Sequence, residues 1–326
     1  MSRVAVLFTG GTIAMRPDAA AGGAVPALDG AALLATVPDL DAIAEVEPID
    51  WGLVPASHLS FAQLLELAGI LRVTLGRREI EGAVVVQGTD VIDETAFAFD
   101  LLVPGDKPVV VTGAMRNAGQ DGYDGPANLR AAVRCAASSE LRGQGVVVVL
   151  AARILPADDV VKVDSVAYDA FRAPNAGPLG RVSDEGLRLT ARRNTRRTLP
   201  RLPEAAAEPI PLLSAHIGSD GALLRAALQA GARGVVVAAT GSGNTHPDLL
   251  VAAREAMAAG VPVVLASRCL SGGVRPAYAF PGGSARWAEA GAILAGTLSP
   301  PKARIALALG LGAGLDEAGL RALLGA

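Results

Sequence analysis

Short, continuous runs of apolar residues recur along the chain, separated by longer stretches with a helical period. The runs are rich in Val and are predicted as strands: Val4–Phe8, Ala83–Val86, Pro108–Val111, Gly145–Leu150, Gly234–Ala238 and Val261–Ala266. Continuous rather than alternating hydrophobicity is typical of strands buried on both faces of a parallel sheet. A spacing of about 3.6 residues predicts helices between them: Phe61–Arg72, Glu94–Leu102, Pro126–Ala137, Ala222–Ala230, Pro247–Ala259 and Pro301–Leu309. The alternation of the two patterns predicts an α/β fold.

The pattern is interrupted at residues 191–211, and this interruption predicts two domains. Residues 191–211 carry the run Arg-Arg-Asn-Thr-Arg-Arg and then several prolines, a composition that excludes a sheet core. We predict a larger N-terminal domain, residues 1–190, with a mostly parallel sheet, a linker at 191–211, and a smaller C-terminal domain, 212–326, with a parallel sheet. A second flexible stretch, Arg16–Pro26, follows the first strand closely and is predicted to be a mobile lid.

Composition narrows the class of protein. Hydrophobic residues make up 51% of the 326 residues but aromatic ones only 3%, so the core must consist of Val, Leu, Ile and Ala. A net charge of -3 without blocks of like charge argues against nucleic acid or membrane partners and favours a small-molecule substrate. Cys135 and Cys269 form no C-x-x-C pair, which argues against a disulfide framework and a cysteine zinc site. With neither a signal peptide nor a membrane span in the pattern, we expect a cytoplasmic protein.

Glycine and threonine residues follow three of the predicted strands. The segments are Thr9–Thr12, Gln87–Asp90 and Thr112–Arg116. Because ligands bind at the carboxyl ends of parallel strands, these three loops are expected to face one crevice. Glycines bring backbone N–H groups close to a ligand, and an oxyanion donor of this kind is typically worth about 10²- to 10³-fold in rate. The loops therefore predict attack by a threonine hydroxyl on a polarised carbonyl.

A threonine hydroxyl needs a base, and lysine is the best candidate in this chain. The three histidines form no metal-binding or triad motif, and no G-x-S-x-G elbow is present. An amine acts as a base once burial lowers its pKa from about 10.4 to roughly 7 or 8. Lys162 is one of only three lysines, and its apolar neighbours Val160, Val161 and Val163 favour desolvation. A nearby Asp90 carboxylate would instead favour the ammonium form.

These motifs resemble those of the bacterial-type L-asparaginase/glutaminase family. The first two are Thr9–Ala14 and Gln87–Asp90 with Asp93–Ala96, and together they are highly specific. Further matches span the chain: Lys107–Val110, Thr112–Arg116, Asp124–Leu129, Gly177–Gly180, Gly241–Asn244 and Gly296–Pro300. The resemblance implies hydrolysis of L-asparagine to L-aspartate and ammonia by double displacement, with no cofactor and no metal. It also implies a homodimer or homotetramer whose sites lie at the subunit interface.

Carried over residue by residue, the resemblance assigns roles within the site. Thr12 is the nucleophile, and Thr89, Asp90 and Lys162 form a polar triad that relays protons. The implied substrate-binding residues are Gly11, Ser57, His58, Gly88, Ala114 and Asn244. Of these, Ser57 and His58 occupy the place of the pair that holds the substrate's α-carboxylate. Asn244 corresponds to a residue that reaches the site from the neighbouring subunit.

The chain departs from the family pattern at three places. Its lid, Met15 to Pro26, contains no tyrosine, although many members place a tyrosine there against the nucleophile. Ser284 stands where the C-terminal segment usually carries a glutamate, with Glu289 offset, and His58 replaces a Gln or Ser.

Two other functions remain open from the sequence. A glutaminase, or a subunit that supplies ammonia to a partner, differs by one substrate methylene, which is worth only about 1 to 3 kcal/mol in a pocket. A non-catalytic amino-acid sensor is favoured by the missing tyrosine and glutamate. The retained pair of threonines with Lys162 argues against a sensor, which needs no nucleophile.

Overall fold

The computed structural model describes residues 2–325, which form two compact units. The units divide between Thr198 and Leu199. This point falls inside the segment 191–211, for which the sequence predicts a linker. The domain boundaries given above stay a prediction, and their outermost residues, Met1 and Ala326, lie outside the described residues.

The first unit is built on an eight-stranded sheet. Its strands and those of two small hairpin sheets are β1 (Arg3–Phe8), β2 (Met15–Asp18), β3 (Gly23–Pro26), β4 (Glu45–Asp50), β5 (Ile80–Val86), β6 (Val109–Thr112), β7 (Val146–Leu150), β8 (Arg153–Pro156), β9 (Val161–Lys162), β10 (Phe171–Arg172), β11 (Gly180–Ser183) and β12 (Gly186–Leu189). The order in the large sheet is β12-β11-β8-β7-β6-β5-β1-β4. Strands β4, β1, β5, β6 and β7 are parallel, whereas β8, β11 and β12 continue the sheet antiparallel.

Helices cover the large sheet. They are α1 (Gly30–Leu34), α2 (Phe61–Gly76), α3 (Ile92–Leu102) and α4 (Gly125–Ala136). Side chains of β1 at alternate positions, Val4, Val6 and Phe8, pack in one core with Leu129 and Val133 of α4. The period of two along each strand sends the intervening residues to the opposite face, where α2 and α3 contact β5, β6 and β7. Burial on both faces explains the continuous apolar runs.

The second unit repeats this architecture on a smaller scale. Its parallel strands lie in the order β13-β14-β15-β16 and are β13 (Leu212–Ser214), β14 (Val235–Ala239), β15 (Val263–Ser267) and β16 (Ile293–Leu294). Its helices are α5 (Ala222–Gln229), α6 (Pro247–Ala258), α7 (Ser284–Glu289), α8 (Pro300–Gly312) and α9 (Glu317–Leu324). Trp287 is fully buried in its core, beside Val235 and Leu249.

The predicted α/β class with two sheets is confirmed, and each predicted strand and helix corresponds to an observed one. The sequence missed strand β4, whose residues Glu45, Glu47 and Pro48 lack the continuous apolar pattern. β4 pairs with β1 at the edge of the sheet, where charged residues and proline are tolerated because one side of the strand is unpaired. It also missed the short antiparallel strands from β8 to β12.

The stretch Arg16–Pro26, which we predicted to be flexible, contains regular secondary structure that the sequence did not indicate. This segment forms an antiparallel hairpin, with Arg16 opposite Val25 and Asp18 opposite Gly23. The Asp18 carboxylate accepts the N–H groups of Ala20 and Ala21 at 2.8 and 2.9 Å and so shapes the turn. Side-chain-to-backbone bonds of this kind stabilise turns in polar sequences that have no apolar pattern. Closure of the hairpin as a lid stays a prediction.

The beginning of the segment 191–211 is anchored to the first unit by a buried ion cluster of Asp100, Arg193 and Arg196. Asp100, only 2% exposed, accepts Arg196 Nε and Arg193 Nη2 at 2.8 Å each and the N–H of Val146 at 2.9 Å. Burial opposes the charge on Arg193, but Asp100 and Asp158 outweigh this effect and raise the pKa of Arg193. The arginine-rich run is therefore a set of packed contacts at this point rather than a solvated tether.

Between residues 2 and 325, none of the helices has the length and apolar content that a membrane-spanning helix needs.

Candidate active site

The three Gly- and Thr-containing loops lie together at the carboxyl end of the large sheet because their strands are adjacent and parallel. In the register, Phe8 of β1 lies opposite Val86 of β5, and Val86 lies opposite Thr112 of β6. The hydrogen-bond ladder continues into the loops, since Thr9 N donates to Val86 O and Gln87 N donates to Thr112 O, each at 3.0 Å. The expectation that these loops converge is confirmed.

The loops after β1 and β5 touch through their glycine backbones. Gly11 has φ 94° and ψ -178°, a conformation that is essentially restricted to glycine. A Cβ added at Gly11 would lie 2.1 Å from the nitrogen and 2.3 Å from the Cα of Gly88. The close approach of the two loops, which continue into Thr12 and Thr89, therefore depends on glycine at position 11.

The loop after β4 also contacts this group of loops. A Cβ added at Gly88 would meet the Ala56 methyl group at 2.9 Å. Ala56 begins the 3₁₀ turn Ala56–His58, and the N–H of Val54 donates to Thr9 O at 2.8 Å. Ser57 and His58 are exposed on this turn. The structure thus places both predicted carboxylate-binding residues beside the glycine contact.

The loop after β6 packs against Thr89, and two polar residues near the N-terminus of α4, Asp124 and Asn128, form hydrogen bonds with its backbone. A Cβ added at Gly113 would lie 3.2 Å from Thr89 Cγ2. The Asp124 carboxylate accepts the N–H groups of Met115 and Arg116 at 3.1 and 2.9 Å, and Asn128 Nδ2 donates to Gly113 O at 3.0 Å. Ala114, between these anchors, is completely buried.

Lys162 reaches the end of β5 from a separate two-stranded hairpin. It lies on β9 opposite Phe171 of β10, and its Nζ donates to Thr89 Oγ1 at 3.0 Å and to Asp90 Oδ1 at 3.3 Å. The Lys162 side chain is 18% exposed and Thr89 is 5% exposed, whereas the Asp90 side chain is 68% exposed. The amine is thus in direct contact with a buried hydroxyl and a solvent-facing carboxylate.

Thr12 begins the 3₁₀ turn Thr12–Ala14, directly after the Gly11 contact. Its N-terminal neighbour is fixed by the glycine packing, and its own carbonyl accepts the N–H of Met15 at the end of the turn. Thr12 is half-buried, whereas the next two residues are completely buried. The turn therefore holds the Thr12 backbone at the edge where Thr89 also lies.

Asn244 lies in the second unit, in the turn that follows β14. Its N–H donates to Thr240 O at 2.9 Å, and its Oδ1 accepts the N–H of Ser284 at 3.3 Å. Ser284, in the position of the expected glutamate, is completely buried, and its hydroxyl accepts the N–H of Ala277 at 3.2 Å. Glu289 is paired with Arg286 at 2.7 Å on the surface. Ser284 and Glu289 are thus both engaged in contacts within the second unit.

The segment Asp124–Leu129 matches the family motif in the sequence, but no role was predicted for its polar residues. Asp124 directly precedes Gly125 and Pro126 at the start of α4, a pattern that predicts a helix N-cap. Its side chain makes no capping bond and binds the loop after β6 instead. Tyr123, which precedes it, donates its hydroxyl to Ile13 O at 2.7 Å. The sequence carries no pattern that indicates this second contact.

Two family models match the chain. The model described as Asparaginase, N-terminal matches residues 3–195, and the Glutaminase/Asparaginase C-terminal domain matches residues 210–324. The chain belongs to the asparaginase family. The expectation of a family member, and of an enzyme of this class, is confirmed.

Individual relatives of the asparaginase family agree with these matches. A probable L-asparaginase of Deinococcus radiodurans is 36% identical, over 98% of this chain and 96% of its own length. An L-asparaginase of Bacillus licheniformis is 32% identical, over 94% of each chain. The crystal structure of a probable cytoplasmic L-asparaginase from Campylobacter jejuni superposes with a TM-score of 0.89 at 30% identity and covers 99% of both chains.

Among residues 2–325, no three His, Cys, Asp or Glu side chains are grouped so that they could hold a metal ion.

Proposed function

We propose that this asparaginase-family chain hydrolyses L-asparagine to L-aspartate and ammonia, with Thr12 as the nucleophile. Membership of the family supports the reaction. The observation that carries the mechanism is the hydrogen bond from Lys162 Nζ to Thr89 Oγ1. The Gly11–Gly88 packing joins the loop of Thr89 to the loop that contains Thr12. Two threonines and the Lys162 amine thus lie at the carboxyl end of one parallel sheet.

The reaction proceeds in two displacements. In the first, Thr12 Oγ forms a bond to the amide carbon of the substrate, and its proton passes to the leaving nitrogen, so that the carbon–nitrogen bond breaks and ammonia departs. In the second, water attacks the resulting ester and releases aspartate and the Thr12 hydroxyl. Thr89 and Lys162 relay protons during these steps, because a hydroxyl in contact with an amine can pass its proton on.

Backbone groups of the glycine loops stabilise the charge that develops on the substrate carbonyl oxygen. Gly11 and Gly88 have no side chain between their backbones and the site, and the loop containing Ala114 is held rigidly by Asp124 and Asn128. Donors fixed before the reaction need no reorganisation in the transition state.

Recognition of the amino-acid end of the substrate falls to exposed groups around this edge. We assign the α-carboxylate to Ser57 and His58, and the α-ammonium to Asp90, whose carboxylate is largely exposed. Asn244 is assigned to the site of a neighbouring copy of the chain. No cofactor or metal enters the proposed reaction.

The decisive experiment measures ammonia release from asparagine by the wild type and three single variants. Thr12→Ala is expected to lose about 10³-fold or more in kcat because the nucleophile is gone. Thr89→Val and Lys162→Met are each expected to lose roughly 10²- to 10⁴-fold, the usual contribution of proton transfer. Lys107→Met is the matched control, since Lys107 precedes the start of β6 and its Nζ donates to Arg77 O at 2.6 Å.

The outcomes separate the competing functions. Loss of activity in the three site variants, with Lys107→Met at the wild-type rate, supports the proposal, whereas equal activity of all proteins refutes the assigned roles. A kcat/KM that is higher for glutamine than for asparagine makes the chain a glutaminase. Tight binding of aspartate without any ammonia release makes it a sensor.

We also propose a cytoplasmic homodimer or homotetramer, and a complementation assay tests the shared site. A mixture of Thr12→Ala and Asn244→Ala chains, refolded together, should regain activity if Asn244 acts in the neighbouring subunit's site. Activity of the mixture that equals the average of the two separate variants would contradict a shared site.

A further inference from the structure

Tyr123 connects the turn that carries Thr12 to the loop before α4. Its hydroxyl donates to Ile13 O at 2.7 Å, across 110 residues of sequence. Ile13 is completely buried, and a buried carbonyl without a partner is costly, so this hydrogen bond constrains the turn.

The carbonyl groups from Gly11 to Met15 all have partners, and only one partner is a side chain. Gly11 O accepts Ala14 N, and Thr12 O accepts Met15 N, both within the turn. Ala14 O accepts two backbone N–H groups from residues 27 and 28, and Met15 O accepts one from residue 118. Ile13 O accepts the Tyr123 hydroxyl. Beside these backbone contacts, the turn thus has one side-chain anchor at its carbonyl groups, and this anchor can be altered without touching the backbone.

The Tyr123 ring is itself held in place. A Cβ added at Gly125 would lie 2.4 Å from ring atom Cε2, so the ring packs directly on the backbone at the start of α4. The N–H of Tyr123 donates to Gln120 O at 3.2 Å. The same loop approaches the hairpin at a second point, since a Cβ at Gly119 would lie 2.3 Å from Pro17 Cδ.

The Tyr123 hydroxyl keeps its proton over the pH range in which enzymes are assayed. Burial of the ring, together with the negative charge of Asp124, raises the pKa of Tyr123 to about 12, although Arg16 acts in the opposite direction. The hydroxyl is therefore a permanent donor to Ile13 O.

We propose that Tyr123 is a positioning residue for the nucleophile: it fixes the Thr12 turn from the body of the domain, in a chain whose hairpin Met15–Pro26 contains no tyrosine. The proposal rests on the proposed function, because it concerns the placement of Thr12. Tyr123 acts through Ile13 O and needs no contact with substrate. Its effect therefore belongs to the chemical step rather than to substrate affinity.

The test compares Tyr123→Phe with Tyr168→Phe. Both variants lose one hydroxyl that donates to a backbone carbonyl, because Tyr168 Oη donates to Gly122 O of the same loop at 2.8 Å. Only Tyr123 contacts the Thr12 turn. We expect Tyr123→Phe to lower kcat about tenfold while KM changes less than about twofold, and Tyr168→Phe to stay within about twofold of the wild type in both.

Hydrogen exchange of the backbone amides at residues 12–15 gives a readout that does not depend on activity. Exchange should be faster in Tyr123→Phe and unchanged in Tyr168→Phe, with the two proteins compared at equal distance below their melting temperatures. An unchanged kcat, an equal loss of kcat in both variants, or unchanged exchange in Tyr123→Phe would overturn the proposal. Absence of ammonia release by the wild type would refute the proposed function instead, and exchange would still decide the role of Tyr123.

Discussion

Replacing Gly11 with alanine tests whether the contact between the loops after β1 and β5 creates the site. The added Cβ would lie 2.1 Å from Gly88 N, whereas ordinary contacts begin at 3.4 Å. Both partners are backbone, so no side chain can move aside. The two loops must therefore separate by about 1 Å, since relief cannot come from rotation of a side chain.

Two terms set the expected magnitude. The positive φ of Gly11 costs an alanine about 1 to 3 kcal/mol of stability, whatever the space around it. The separation moves the loop of Thr12 away from the loop of Thr89, and a displacement of about 1 Å can cost roughly 10²-fold in rate. We therefore expect kcat of Gly11→Ala to fall about 10²-fold, in addition to the loss of stability.

The control isolates the steric effect from backbone strain. Gly105 also has a positive φ, 112°, but a Cβ added there meets nothing within 4 Å. Gly105→Ala should lose about 1 to 3 kcal/mol of unfolding free energy in urea and keep its kcat for ammonia release. If Gly11→Ala retained the kcat of Gly105→Ala, the glycine contact would not determine the geometry of the site.

Three further predictions concern stability and accessibility. Asp100→Asn should lower the free energy of unfolding in urea by about 3 to 5 kcal/mol, because it leaves two arginines without their buried carboxylate. Asp106→Asn, at an exposed ion pair, should lower it by less than about 1 kcal/mol. Similar losses in the two variants would contradict the role of burial. A thiol reagent should modify exposed Cys269 but not Cys135 in the native protein, because burial shields the Cys135 thiol and raises its pKa, and two reactive native thiols would refute this. The free energy of unfolding should fall between about pH 10 and 12, where Tyr123 is deprotonated in the unfolded chain but still protonated in the folded one. Tyr123→Phe should make this decrease with pH less steep, and an unchanged pH dependence would contradict the raised pKa of Tyr123.

Much of the fold was predictable from local pattern because burial on both faces of a sheet leaves a continuous apolar run. The Val-rich strands β5, β6 and β7 are examples, and each was located to within a few residues. Strand β4 was not, because an edge strand with Glu45 and Glu47 has no comparable run. The strand pairing in the hairpin at Met15–Pro26 was not predicted because it depends on a polar turn rather than on hydrophobicity.

The sequence alone indicated that glycine and threonine residues follow buried parallel strands, and this predicts that Thr12 and Thr89 lie at the carboxyl end of one sheet. Only the tertiary structure decided what approaches them from elsewhere. Lys162 meets Thr89 across 73 residues and Tyr123 meets Ile13 across 110. Neither contact has a local pattern, because each depends on where separate segments pack rather than on the period of any one segment.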